Sequence, residues 1–142
     1  MQPSKITRII LVILILAPMV WAQSVSALYQ EAQRVFKSYR YQVEYSDFSL
    51  KTYEENGLKI LQLLVVLKSG RTRFDEALMV GFAATGAAID RTDTRVDRVS
   101  VVVKVQYKDE VSIAATADMP DVLALYRDEM EISEFMSRVT WY

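Results

Sequence analysis

The spacing of apolar residues changes between a helical and a strand-like repeat several times along this chain. From Val25 to Tyr39 apolar side chains recur every three or four residues, which is typical of one face of an α-helix. From Val99 to Tyr107 they recur at every second residue, the repeat of a half-buried strand. A chain that interleaves both repeats buries its apolar faces best by packing helices against a sheet.

Turn residues divide these patterns into separate elements. Asn56-Gly57 is a strong hairpin signal because both residues tolerate positive φ, and Ser69-Gly70 ends the returning strand. The charged stretch Arg91–Asp97 and the turn Lys108–Glu110 separate the later elements. The predicted order is α-β-β-α-β-β-α, and the predicted fold class is α+β, with helices packed on a four-stranded antiparallel sheet.

The segment before the hairpin holds two alternating runs of opposite phase. The first run starts at Tyr41 and the second starts at Phe48. A bulge near Ser46-Asp47 would bring both runs into one strand.

The helix predicted after Gly70 is apolar on nearly all sides. One of its faces carries only small residues, namely Ala77, Gly81, Ala84 and Ala88. A helix that is apolar all round is buried, and small residues allow its backbone to approach a sheet or another helix closely. We therefore expect this helix to lie at the centre of the fold.

The start of the chain carries the pattern of a secretory signal peptide. Lys5 and Arg8 precede the unbroken apolar run Ile9–Ala17, and small residues then suit cleavage. A membrane-spanning helix needs about 20 apolar residues, and this run is shorter. The sequence predicts a cleavable signal peptide at residues 1–22 and a single α+β domain at residues 23–142, so that contact with a membrane is limited to the transient signal peptide.

The chain contains no cysteine and no histidine. An exported protein without disulfides relies on hydrophobic packing, which favours a bacterial periplasm or cell exterior. Missing imidazole and thiol groups argue against Ser-His-Asp and Cys-His catalysis and against zinc, copper and haem sites, so no cofactor or metal is predicted. A net charge of −1 without a basic stripe argues against a nucleic-acid partner.

Acidic side chains suggest two weaker hypotheses. Asp90, Asp93 and Asp97 alternate with arginines, which indicates a solvated, salt-bridged loop rather than a calcium site. Glu54-Glu55 and Asp118-Asp121 are pairs of the kind that a carboxylate-dependent hydrolase uses. We rank such a hydrolase third among the functions considered.

A basic turn precedes the second helix. Lys68, Gly70, Arg71 and Arg73 surround the predicted helix start, where free amide groups and the helix dipole attract anions. The turn lacks the longer glycine-rich spacing of a phosphate loop. It is the alternative hypothesis, in which the protein binds an anion or another small ligand.

An interaction surface is predicted on the returning strand and at the end of the chain. Ile60, Leu64 and Val66 share one strand face, and Leu61, Leu63, Val65 and Leu67 share the other. If helices cover only one face of the sheet, the other face must meet a different surface; the competing interpretation is that the first or last helix covers it. Trp141 and Tyr142 are further interface candidates, since aromatic residues with polar tips are common at interfaces.

These patterns favour binding over catalysis. The sequence predicts a small, exported, non-enzymatic protein of the cell envelope or exterior. Its predicted partners are a second copy of itself or another envelope or extracellular protein.

Overall fold

The protein has an α+β fold in which helices pack on a mixed sheet. The computed structural model describes residues 26–41, 43–68, 73–106 and 110–142, so the predicted signal peptide lies outside the described residues. The helices are α1 (26–38), α2 (Phe74–Thr92), α3 (Met119–Tyr126) and α4 (Ile132–Arg138). The strands are β1 (Phe48–Glu55), β2 (Leu58–Leu67), β3 (Arg98–Gln106), β4 (Glu110–Asp118) and β5 (Thr140–Trp141).

The five strands lie in the order β1-β2-β3-β4-β5. β2 and β3 are parallel, and the other neighbours are antiparallel. The prediction of a four-stranded antiparallel sheet is therefore wrong. α2 carries the chain back across the sheet between β2 and β3, and such a crossover makes the joined strands parallel. The predicted order also omitted the C-terminal end of the fold, where α4 and the short β5 follow α3.

The chain before β1 makes a turn instead of the predicted bulged strand from Tyr41. A 3-10 helix spans Tyr45–Asp47, and β1 begins only at Phe48. The amide of Glu44 donates to a carboxylate oxygen of Asp47 at 2.9 Å, and the amide of Asp47 donates to the carbonyl of Glu44 at 2.9 Å. These reciprocal hydrogen bonds close the turn, so the change of phase is made by a helical turn and not by a bulge.

All four helices pack on the same face of the sheet, which we call the covered face. α2 contacts β3 there, and Phe36 of α1 lies 6.3 Å from Phe48 of β1 between ring centres. Phe135 of α4 packs edge-on against Phe82 of α2 at 5.1 Å. The strand residues that are at most 1% exposed all point to this face: Leu61, Leu63, Val65, Val99, Val101, Val103, Ala115 and Ala117. We call the opposite side the open face.

The central helix α2 makes the close contacts that its small residues predict, and its predicted burial is confirmed. A β-carbon added at Gly81 would lie 2.6 Å from Cγ1 of Val101 in β3. One added at Gly86 would lie 2.8 Å from Cβ of Tyr126 in α3. The two glycines therefore set the distance of α2 from the sheet and from α3.

Charged residues at the end of α2, in the following loop and at the start of β3 bond to distant elements. Asp90 of α2 pairs with Arg127, Arg91 of α2 pairs with Glu31 at 3.2 Å, and Arg98 of β3 pairs with Asp118 at 3.0 Å. Asp97 accepts the amide of Lys59 at 2.7 Å through its carboxylate. The prediction that these aspartates form salt bridges with the neighbouring arginines is therefore wrong for Asp90 and Asp97, whose partners lie just after α3 and on β2.

Candidate functional site

A groove of about 730 Å³ lies between α1, α2 and the α3–α4 region, and we call it the helical groove. Its apolar lining includes Met79, Ala83, Leu125, Met130, Ile132 and Met136. Binding sites for small molecules usually measure about 300–1,000 Å³ and are mainly apolar. The helical groove has the size and the lining of such a site.

The groove follows from the way α2 is oriented on the sheet. Gly81 faces β3, so Met79 and Ala83, two residues away on either side, lie on another side of the helix. Met79 and Ala83 are only half-buried, whereas their neighbours Val80 and Phe82 are buried. Because the side chain of Ala83 is small, it leaves space at the floor of the groove.

Exposed apolar side chains form the two walls. Tyr39 at the end of α1 is 55% exposed, and Ile132 at the start of α4 is 61% exposed. The walls therefore present apolar surface that the described residues do not bury.

Methionines give the groove an adaptable surface. Met79, Met130 and Met136 line it, which is three of the six methionines in the sequence. The unbranched thioether side chain changes shape easily and makes favourable contacts with many apolar groups. The methionine lining can therefore adapt its shape to different bound groups.

The rim of the groove is mainly acidic. Asp75, Glu76 and Asp128 line it together with one cation, Arg34, which already pairs with Glu31 at 3.0 Å. Among the ion pairs of the described residues, none includes Glu76 or Asp128.

Local contacts determine the ionisation of Asp75 at the start of α2 and of Tyr41. The amide of Glu76 and, less strongly, the guanidinium of Arg73 at 3.2 Å hold the pKa of Asp75 below its ordinary value. Burial, followed by the charge and hydrogen bond of Glu76, raises the pKa of Tyr41. Asp75 is therefore ionised and Tyr41 neutral near pH 7.

The open face gathers most of the predicted interface residues. Ile60, Leu64 and Val66 point to it from β2, and Tyr142, which is 74% exposed, lies at its β5 edge. Trp141 lies opposite the buried Ala115 of β4, so its side chain belongs to the covered face. The structure therefore brings four of the five candidates to one face and separates Trp141 from them.

Neighbouring strands already shield part of this face. Ile60 is only 5% exposed, although no described helix covers it. Tyr53 and Arg98 stand directly opposite Ile60 on the two adjacent strands. The depression around these residues measures about 280 Å³, which is smaller than the helical groove.

The proposed anion turn is only partly within the described residues. Gly70 and Arg71 lie outside them. The ammonium of Lys68 is 3.5 Å from a carboxylate oxygen of Asp47, and Arg73 pairs with Asp75 at 3.2 Å. Both described cations of the turn thus have carboxylate partners.

The proposed carboxylate pairs do not form a cleft. Glu54 and Glu55 are exposed and, as consecutive strand residues, point to opposite faces of the sheet. Asp118 pairs with Arg98 and Asp121 pairs with Arg138, both at 3.0 Å. The described residues contain no group of three or more acidic side chains that could hold a metal ion.

Sequence reasoning missed the helical groove. Its residues come from four helices and the turns beside them, and none of them was predicted from the sequence as a site residue. A usable signal was the number of apolar residues in the short α4 segment, where Ile132 and Met136 accompany the buried Phe135.

Within the described ranges, no helix is both long enough and apolar enough to span a lipid bilayer. Comparison of the chain with protein families, curated proteins and solved structures gives no match.

Proposed function

We propose that this chain is a non-enzymatic binding protein whose helical groove holds an apolar segment of another protein. The observation that carries the proposal is the groove itself: about 730 Å³ of mainly apolar surface between four helices. Its flexible methionine lining supports binding to an apolar segment rather than positioning of a reactive group.

The alternative functions have less support. Anion binding at Lys68 and Arg73 would have to displace Asp47 and Asp75 from them. A carboxylate-dependent hydrolase would need two acids converging on one substrate bond, and Asp118 and Asp121 pair instead with arginines on β3 and α4. The described cations of the turn and the two aspartates are therefore already engaged in ion pairs.

The proposal includes export to a bacterial periplasm or to the cell exterior. It is supported by the basic and apolar pattern of residues 1–22. Mass spectrometry of the secreted protein should find a chain that starts at Gln23. A mature chain that starts at Met1 would contradict cleavage.

Nile red, an uncharged dye that fluoresces in apolar surroundings, tests whether the groove binds. Titration of the purified protein should raise the fluorescence to saturation. Ala83→Trp fills the floor of the groove and should weaken dye binding at least about tenfold, because a bulky ring then occupies the site.

Ala114→Trp is the matched control, because Ala114 is also half-buried but lies on the open face. It should leave dye binding unchanged. Equal binding by the wild type and both variants would show that the dye does not enter the groove, and the proposed function would then be wrong.

A further inference from the structure

We infer that the segment held in the helical groove is an amphipathic helix with basic side chains beside its apolar face. This inference rests on the proposed function and names the chemistry of the partner. Two independent properties of the groove support it, its length and the charge of its rim.

The length of the groove matches two turns of a helix. Along α2 the lining runs from Asp75 to Ala83, which is about 12 Å at the rise of an α-helix. A helix that docks into a groove uses anchors at positions i, i+4 and i+7, which span about 10 Å. The apolar part of the α2 lining, from Met79 to Ala83, spans about 6 Å. The other anchors of the helix would therefore contact the apolar lining of the α3–α4 region, which includes Leu125, Met130 and Met136.

The acidic rim of the groove favours basic residues beside the apolar face of that helix. Glu76 and Asp128 stand on α2 and on the α3–α4 connection, and neither has an ion-pair partner among the described residues. Lysine or arginine side chains beside the apolar face would reach these carboxylates. An acidic helix or an anionic amphiphile would meet repulsion at the same positions.

The α3–α4 connection carries two more acidic residues beside the groove-lining Met130. Met130 lines the groove, and its exposed neighbours Glu129 and Glu131 flank it in the sequence. An apolar contact with acidic residues on both sides is the complement of an apolar anchor with basic residues on both sides.

Two designed peptides test the inference. Both form helices with leucine at positions i, i+4 and i+7, and one carries lysine where the other carries glutamate. Calorimetric titration of the purified protein at low salt should show that the lysine peptide binds at least about tenfold more tightly, since several exposed charge pairs add together. The preference should fall as salt is added, because these pairs are exposed.

A charge-matched pair of variants locates the effect. The double variant Glu76→Gln/Asp128→Asn removes two rim charges, and asparagine tolerates the positive φ of 58° at Asp128. It should reduce the lysine preference to about twofold or less. The control Glu54→Gln/Glu55→Gln removes two charges from β1 and should keep the full preference.

The outcomes separate this inference from the proposed function. Equal affinity for the two peptides, or equal loss in both double variants, would overturn the basic helix while dye binding in the groove still stands. Failure of both peptides to bind while Ala83→Trp still blocks Nile red would also overturn only the helix. If Ala83→Trp does not affect the dye, the proposed function itself is wrong.

Discussion

The two faces of the sheet bury apolar side chains in different ways. On the covered face, Leu63 and Val101 are fully buried because α2 packs directly on them. On the open face, Ile60 is 5% exposed without any described helix over it, because Tyr53 and Arg98 stand beside it. Apolar residues on an open sheet face therefore do not by themselves require a partner.

The helical groove and the depression on the open face also differ. The groove on the helical side measures about 730 Å³, and the depression on the open face measures about 280 Å³. The open-face depression lies among polar side chains such as Gln62 and Ser100, whereas methionines line the groove. The larger of these two concavities thus lies among the helices, whereas the sequence predictions named the sheet and the turn before α2.

The largest expected effect tests close packing on the covered face. Gly81→Leu should lower the free energy of unfolding by about 3 kcal/mol, since its β-carbon alone would lie 2.6 Å from Cγ1 of Val101. The control Lys37→Leu changes an exposed position on α1 and should stay within about 0.5 kcal/mol of the wild type. Urea unfolding measures both, and equal midpoints would contradict the close contact.

Gly81 also shows how much of the covered face could be predicted from the sequence. The small residues of α2 and the alternation in β3 were visible as local patterns, and both lie buried at their contact. The parallel pairing of β2 with β3 was not visible, because it depends on where α2 crosses the sheet. Local periodicity determines which face of an element is buried and does not determine the direction of its neighbour.

The helical groove was not predicted for a related reason. Met79 and Met136 lie on different helices, and an apolar residue on one helix, taken alone, is typical of core. Whether such residues meet or leave a gap depends on the angles and distances between helices. The small side chain of Ala83 and the turn between α3 and α4 decide this only in the assembled fold.

A smaller effect tests the shielding of the open face. Arg98→Ala should cost about 1 kcal/mol of stability, because it removes both the ion pair with Asp118 and the aliphatic stem beside Ile60. Arg98→Met keeps an unbranched stem and should stay within about 0.5 kcal/mol of the wild type.

The test compares the loss of stability in Arg98→Ala with that in Arg98→Met. If chemical denaturation finds equal losses for alanine and methionine, the ion pair and not the stem matters at this position. The open face would then not shield Ile60 by the side chain of Arg98, and the contrast with the covered face would weaken.

The smallest expected effect concerns pH and lies on the helical side, where Tyr41 follows α1 and packs edge-on against Phe36. Burial and then Glu76 raise the pKa of Tyr41, so its ionisation is harder in the folded than in the unfolded protein. The neutral Tyr41 side chain contributes fully to stability below the ordinary tyrosine pKa of about 10, and this contribution is lost as the pH rises through the pKa of Tyr41 in the folded protein.

Tyr41→Phe should therefore make stability fall less steeply between about pH 9 and pH 11, measured by urea unfolding. Glu76→Gln should have the same effect to a lesser degree, because it removes the second cause of the shift and leaves burial in place. Identical slopes for all three proteins would mean that Tyr41 is as solvated as in the unfolded chain, and that the apolar surface of the helical side ends before it reaches this residue.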